Sequence, residues 1–191
     1  MKEEYPRRES FQAEVQEQET REKNKVMKKI AELMKAAADC ANYVEKLRLY
    51  EETLALDPDY LQALLQKGFA LDRIGKSKEA LACYDRALEI DPENFEIWCL
   101  KGFAFNNLKE FKKAVECYDE VLKSKQEDVF AWYQKGTSLE NMGRYGDAIK
   151  CYDTALEIDP TDILIREKRM KLLATIYKKG SLTDHQDNKL N

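Results

Sequence analysis

Residues 78–92 read KEALACYDRALEIDP, and residues 146–160 read GDAIKCYDTALEIDP. Ten of these fifteen positions are identical at an offset of 68 in the numbering, and the midpoint of that offset holds KKAVECYDEVL at residues 112–122. The repeat period is therefore 34. Self-similarity at a fixed period indicates a repeat architecture, in which each unit packs mainly against its neighbours.

The stretch before each of these segments repeats at the same period. Residues 63–71 read ALLQKGFAL, residues 97–105 read IWCLKGFAF, and residues 131–139 read AWYQKGTSL. Short segments with turn residues (RIGKS, NLKEF and NMGRY) separate the two halves of each unit. Each unit is thus predicted to be a helix of about 14 residues, a turn and a second helix.

A glycine recurs in phase inside each predicted first helix, at Gly68, Gly102 and Gly136. Glycine in a helix interior costs roughly 1 kcal/mol relative to alanine, so three in phase need a packing reason. We expect the missing side chain, together with alanine early in the second helix, to let the paired helices approach closely. Pro92 and Pro160 then end the second helices, because proline cannot continue them.

These residues together resemble the tetratricopeptide-repeat (TPR) family. The match consists of the following residues: Leu64, Trp98, Trp132; Gly68, Gly102, Gly136; Leu71, Phe105, Leu139; Ala80, Ala114, Ala148; Tyr84, Tyr118, Tyr152; Ala87, Val121, Ala155; Pro92, Pro160. The K-G and C-Y-D motifs are similar to arrays of methanogenic archaea. The resemblance implies an all-α, right-handed superhelical solenoid of antiparallel helix pairs.

Several positions depart from the family pattern. Gln126 replaces proline, so we expect the second helix of that repeat to run on slightly. Val121 replaces alanine and predicts a bulkier contact with the neighbouring helix. Lysine precedes each glycine where leucine is usual, at Lys67, Lys101 and Lys135. We expect the lysine stems to cover apolar surface and their ammonium groups to reach water.

The repeat period predicts how the chain is divided into an arm, repeats, a capping helix and a tail. Residues 1–26 form a charged arm, helical or disordered, for which a coiled-coil dimerisation role stays open. Residues 27–60 form a degenerate TPR with Met34 at the glycine position, and residues 61–94, 95–128 and 129–162 form three full repeats. Residues 163–180 are predicted to be a capping helix that ends at Gly180, because an array must shield its last apolar face. A disordered tail is predicted over residues 181–191.

Composition argues against several classes of function. The net charge is -4, and acidic and basic residues are interleaved, which is atypical of nucleic-acid binding. No segment resembles a signal peptide or a membrane span, so we expect a cytoplasmic protein without membrane contact. The five cysteines lack metal-ligand spacing, and His185 is the only histidine. The phosphate-binding loops and nucleophile motifs of common enzymes are absent, so we expect neither catalysis nor a cofactor.

The resemblance further implies that the first helices line a concave groove. Its residues would be Leu65, Phe69, Arg73, Cys99, Leu100, Phe103, Asn106, Asn107, Phe130, Tyr133, Gln134 and Asn141. TPR clamps for chaperone carboxylate tails carry basic or amide side chains where this chain has Leu65, Phe69 and Cys99, which disfavours such a tail. We therefore expect a scaffold or adaptor that binds a protein segment with apolar anchors. The alternative is a self-associating array, for example a homodimer formed through the groove or the arm.

Overall fold

A computed structural model describes the backbone of residues 5–187 and the side chains of residues 11–178. Over that part of the chain the secondary structure is helical, with no strand. The helices are α1 (Tyr5–Asp39), α2 (Tyr43–Leu56), α3 (Leu61–Arg73), α4 (Ser77–Ile90), α5 (Phe95–Asn107), α6 (Phe111–Ser124), α7 (Val129–Asn141), α8 (Tyr145–Ile158) and α9 (Ile163–Asp187).

The helices pack in chain order, each against the one before and the one after it. The pairs α3/α4, α5/α6 and α7/α8 are the three predicted full repeats. First helices also approach one another, α3 with α5 and α5 with α7, more closely than the second helices do. The array therefore places its first helices on the inner side, and the prediction of an all-α repeat array is confirmed.

Polar side chains begin the first helices, and turns with positive φ end them. Asp128 Oδ1 accepts a hydrogen bond of 2.8 Å from the backbone N–H of Ala131, so it satisfies one of the unpaired amides at the start of α7. After α3 and α7 the chain turns through Gly75 and Gly143, with φ of 80° and 76°. These left-handed residues allow the backbone to reverse directly into the second helix.

The expectation that the helix before Gln126 runs on is wrong. Helix α6 ends at Ser124, in phase with the ends of α4 and α8. The indole N–H of Trp132 donates a hydrogen bond of 2.7 Å to the carbonyl of Gln126, as Trp98 does at 3.0 Å to Pro92. The turn is fixed by this carbonyl, which any residue supplies, and so it does not require the proline ring.

Tyrosine rings fill the space left by the recurring glycines. Tyr84, Tyr118 and Tyr152 are fully buried, and a Cβ built on Gly68 would lie 2.8 Å from Cζ of Tyr84. Ala80, Ala114 and Ala148 are also fully buried at the opposing helix. The predicted packing role of the small residues is therefore confirmed, and Val121 is accommodated with no exposed surface.

The lysines before the glycines join one repeat to the previous one. Their Nζ atoms lie 3.1 Å from Glu51 for Lys67, 2.7 Å from Asp85 for Lys101, and 2.6 Å from Asp119 for Lys135. Their side chains are only 18–23% exposed, so the stems cover apolar surface as expected. The ammonium groups, however, are paired with carboxylates and not only hydrated. Arg169 of α9 continues the series with Asp153.

The two ends differ from the predicted boundaries. Helix α1 runs without a break from the arm into the degenerate repeat, so position 27 is not an element boundary. Helix α9 passes through Gly180 and ends at Asp187, which corrects the predicted stop and the predicted disorder as far as residue 187. One glycine costs only about 1 kcal/mol in a helix, and no proline follows it to end the helix. Residues 188–191 of the predicted tail lie outside the described residues.

Candidate functional site

The inner surface of the array presents three phenylalanines. Phe69 of α3 is 42% exposed, Phe103 of α5 is 38% exposed, and Phe130 of α7 is 51% exposed. They belong to successive first helices, at positions that the repeat phase predicts to face the groove. Side chains of this size are normally buried, so the exposure of these three marks them as candidate contacts for an apolar ligand.

The remaining predicted groove residues divide by exposure. Arg73, Asn107 and Asn141 are exposed at the ends of the first helices and form a polar edge. Intermediate exposure is found for Cys99, Leu100, Asn106, Tyr133 and Gln134. Cys99 and Leu100 pack against the core clusters, so only part of each side chain can contact a ligand.

Leu65 is not a groove residue. It is 4% exposed and packs in a core cluster with Leu64, Ile97 and Ala104. Because α3 and α5 approach each other closely, the side chain at this position is enclosed between two successive repeats. The prediction that Leu65 lines the groove is therefore wrong.

A row of polar residues anchors the tyrosine hydroxyls beneath the inner surface. Tyr84 donates to Asp72 Oδ2 at 3.1 Å, Asn106 Nδ2 donates to the Tyr118 hydroxyl at 3.3 Å, and Tyr152 donates to Glu140 Oε2 at 2.8 Å. Each polar residue lies twelve positions before its tyrosine. The sequence analysis assigned Asn106 to the groove surface and did not predict any of the three pairings, although the constant offset of these residues from a recurring tyrosine was a readable signal.

The amide of Asn106 has little capacity left for a ligand. Its Nδ2 donates to Tyr118, and its Oδ1 accepts a hydrogen bond of 2.8 Å from Ser138 Oγ in the next repeat. Ser138 is fully buried, so the bond joins α5 to α7 inside the array. Asn106 thus connects two repeats, and the polar contacts available to a ligand come mainly from Asn107 and Asn141.

The cysteines do not form a reactive site. Cys117 and Cys151 are buried, and all five cysteines are free thiols. Burial raises the pKa of Cys117 to about 12 and that of Cys151 to about 11. Thiols with such pKa values stay protonated at neutral pH and are poor nucleophiles. These residues therefore act as small apolar side chains of the core.

The described part of the chain contains neither a metal-binding cluster nor a membrane-spanning helix. Within residues 11–178, no group of three or more histidine, cysteine, aspartate or glutamate side chains is arranged to hold a metal ion. No helix in the described part of the chain combines the length and the apolar character needed to cross a bilayer.

These helix pairs, with recurring tyrosine–glycine contacts and an open inner surface, define the chain as an α-solenoid. Three models of the tetratricopeptide repeat match it, over residues 73–109, 95–128 and 129–162. The chain contains tetratricopeptide repeats, and its fold is an all-α TPR array. No curated protein matches the sequence.

Solved structures share this fold at low sequence identity. "MamA 41-end from Desulfovibrio magneticus RS-1" is 20% identical, with a TM-score of 0.73 over 84% of this chain and 92% of that one. "First TPR of Spaghetti (RPAP3) bound to HSP90 peptide SRMEEVD" is 22% identical, with a TM-score of 0.59 over 63% and 96%. "YrrB: a TPR protein with an unusual peptide-binding site" is 20% identical, with a TM-score of 0.63 over 67% and 66%.

Proposed function

We propose that this chain is a non-catalytic scaffold whose inner surface binds an apolar segment of a partner protein. The observation that carries the proposal is the exposure of Phe69, Phe103 and Phe130 on three successive first helices. Full burial of one such side chain is worth roughly 1.5–3 kcal/mol, so three of them give a small interface useful affinity. Partial burial and the entropy of ordering the partner reduce that gain.

The groove fits a helix or an extended segment with aliphatic or aromatic anchors. The phenylalanines supply the apolar contacts, and the amides of Asn107 and Asn141 supply hydrogen-bonding groups for the backbone or polar side chains of the ligand. Segments recognised in this way place a few apolar anchors in the groove. The RPAP3 structure with its bound peptide and YrrB with its peptide-binding site support the proposal as examples of the same fold binding peptides.

An acidic chaperone tail is a poor ligand for this surface. The peptide SRMEEVD, bound in the RPAP3 structure, carries two glutamates, an aspartate and a terminal carboxylate. Here the clamp positions hold the buried Leu65, the exposed Phe69 and the half-buried Cys99. None of these can neutralise a carboxylate, so desolvating the peptide would be uncompensated.

The test is capture of partner proteins from a native extract of the source organism by the immobilised chain, compared with a Phe69→Ala, Phe103→Ala variant. Both side chains are exposed, so the variant should keep its helicity while capture is lost. The matched control is Val44→Ala on α2, where the side chain is 68% exposed but away from the first helices. Capture unaffected by the double substitution, or tight binding of the synthetic peptide SRMEEVD, would refute the proposal.

Location in the cytoplasm and kinship with methanogenic archaeal arrays remain predictions from the sequence. The first can be tested by fractionating cells of the source organism.

A further inference from the structure

Helix α9 exposes an apolar stripe on its outer side. Ile163, Met170, Leu173 and Tyr177 are exposed by 65%, 62%, 39% and 81%. Their spacing of seven, three and four positions places them on one face, as in the a and d positions of a coiled coil. The opposite face of α9 holds Ile165 and Leu172, which are buried against α8. The helices described here therefore leave this stripe uncovered.

An ordinary second helix cannot cover the stripe. Helix α9 is in phase with the first helices, and Met170 stands one full repeat period after Gly136. At Gly136 the backbone is in contact with the ring of Tyr152, which a methionine side chain would displace. The covering element must therefore differ from the second helix of a repeat, whose tyrosine ring needs bare backbone at that point.

The surroundings of the stripe are basic. Residues 163–178 contain five basic residues and one glutamate, a formal balance of +4, of which Lys168 and Arg169 are already paired with Glu140 of α7 and Asp153 of α8. Arg166 and Lys171 are exposed beside the stripe. A complementary helix would carry acidic residues beside a few apolar ones, because burial of like charges at such an interface is unfavourable.

The outer half of the arm in α1 has that character. Residues 11–22 contain four glutamates and one arginine, a formal balance of -3. Phe11 is 66% exposed and Val15, one turn later, is 39% exposed. Glu14 and Glu19 flank these two side chains on the helix surface and are exposed. Residues 11–29 are exposed throughout, so this part of α1 projects from the array.

The two helical segments are also similar in length. At a rise of about 1.5 Å per residue, the acidic segment over residues 11–22 extends for roughly 18 Å and the stripe over residues 163–177 for roughly 22 Å. We propose that the acidic arm of one copy of this chain docks on the α9 stripe of a second copy. Phe11 and Val15 would lie among Met170, Leu173 and Tyr177, with Glu14 and Glu19 beside the basic residues.

Such a contact is heterologous, because the donor surface and the acceptor surface are different. Association through such a contact runs head to tail, giving a ring where the rotation between copies closes and an open series where it does not. The groove phenylalanines take no part in the contact. Self-association and partner capture are therefore separable properties of the chain.

Sedimentation velocity of the full chain over a concentration series, at low and high salt, tests the proposal. We expect a concentration-dependent series of species that shortens at high salt, because screening weakens the charge pairing. A stripe variant, Met170→Glu with Leu173→Glu, should weaken association about tenfold or more, since it buries carboxylates against an acidic helix. An arm variant, Glu14→Lys with Glu19→Lys, should weaken it similarly. Val44→Glu, an equally exposed apolar site elsewhere, is the control.

Mixing the two defective variants identifies the interface directly. The stripe variant keeps a working arm and the arm variant keeps a working stripe, so the mixture should form a discrete 1:1 dimer. A stripe variant that still self-associates would overturn the proposal in favour of arm–arm pairing. Loss of association in the Phe69→Ala, Phe103→Ala variant would place the arm in the groove instead. A chain that is monomeric throughout, or that uses the stripe only to bind anionic lipid vesicles, would also overturn it.

Discussion

The ring of Tyr152 lies directly on the backbone of Gly136. A Cβ built on this glycine would be 2.6 Å from Cε1 of the ring, closer than side-chain carbons approach in proteins. The same contact recurs between Gly102 and Tyr118, where the corresponding distance to Cζ is 2.8 Å. The distance between the helices of each pair is thus set by a flat ring on a bare backbone.

Replacing Gly136 with alanine should destabilise the protein. The added methyl group forces the buried ring or the helix to move, which costs about 1–3 kcal/mol and exceeds the gain in helix propensity. Gly146→Ala is the control, since nothing lies within 4 Å of a Cβ at that helical position. Urea unfolding followed by circular dichroism should show a lower midpoint for the first variant and an unchanged or higher one for the second. Equal effects of both would contradict the packing account.

Gln126→Pro should stabilise the chain. The preceding Lys125 already has backbone angles outside the helical region (φ -125°, ψ 72°), close to those of Asp91 and Asp159 before the natural prolines. Proline at a compatible site restricts the unfolded chain and adds about 0.4–1 kcal/mol. The carbonyl that accepts the Trp132 hydrogen bond is retained. Thermal unfolding is the measurement, and a lower melting temperature would show that the turn needs freedom that proline lacks.

Replacing Lys109 with glycine should stabilise the protein. It has a φ of 61°, the left-handed region, where Gly75 and Gly143 stand at the equivalent turns. A side chain with a Cβ is strained there, so Lys109→Gly should raise the free energy of unfolding by roughly 1 kcal/mol. The reverse change, Gly143→Lys, should lower it by a similar amount. Chemical denaturation of both variants measures the pair, and changes of the same sign would rule out strain as the cause.

We expect the free energy of unfolding to depend on pH because of Asp72. This residue is 8% exposed, Oδ1 is buried without a hydrogen-bond partner, and burial raises the pKa of its carboxyl while the side chains of Ser77, Tyr84 and Asn107 offset part of that effect. The folded state therefore holds this proton more tightly than the unfolded state. The contribution of the protonated Asp72 carboxyl to the free energy of unfolding is fully present below the ordinary pKa of aspartate. It is lost as the pH rises through the raised pKa of the folded state.

Asp72→Asn should accordingly raise the free energy of unfolding at pH 7 more than at pH 4, because the amide is neutral at both. Asn106 is the natural equivalent in the next repeat, and Asn106→Asp should show the opposite pattern. Urea titrations at the two pH values provide the measurement. A benefit from Asp72→Asn that is the same at both pH values would mean that ionisation of Asp72 is not its source.

The repeat period determined the helices, their pairing and most of the core. Gly68 and Tyr84, Lys101 and Asp85, and Asp72 and Tyr84 each lie within half a period of one another in sequence, so these contacts form within one repeat or between neighbours. Such local contacts are encoded by residue type and phase alone. The tyrosine anchors and the lysine pairs also lie at constant offsets in the sequence, so residue type and phase encode these contacts as well.

The tertiary structure alone decided which of the side chains on a given helix face are exposed to solvent. Leu65 and Phe69 both stand at positions of α3 that the sequence predicts to line the groove. In the structure, Leu65 is enclosed by α5 and Phe69 is open to solvent. That difference depends on the distance between successive first helices, to which many contacts along the array contribute. The same holds for α9, which packs one face on α8 and leaves its outer stripe exposed, and for α1, whose arm extends beyond its partner helix. Sequence phase assigns a residue to a face, but the distance between helices determines how much of that face a partner can contact.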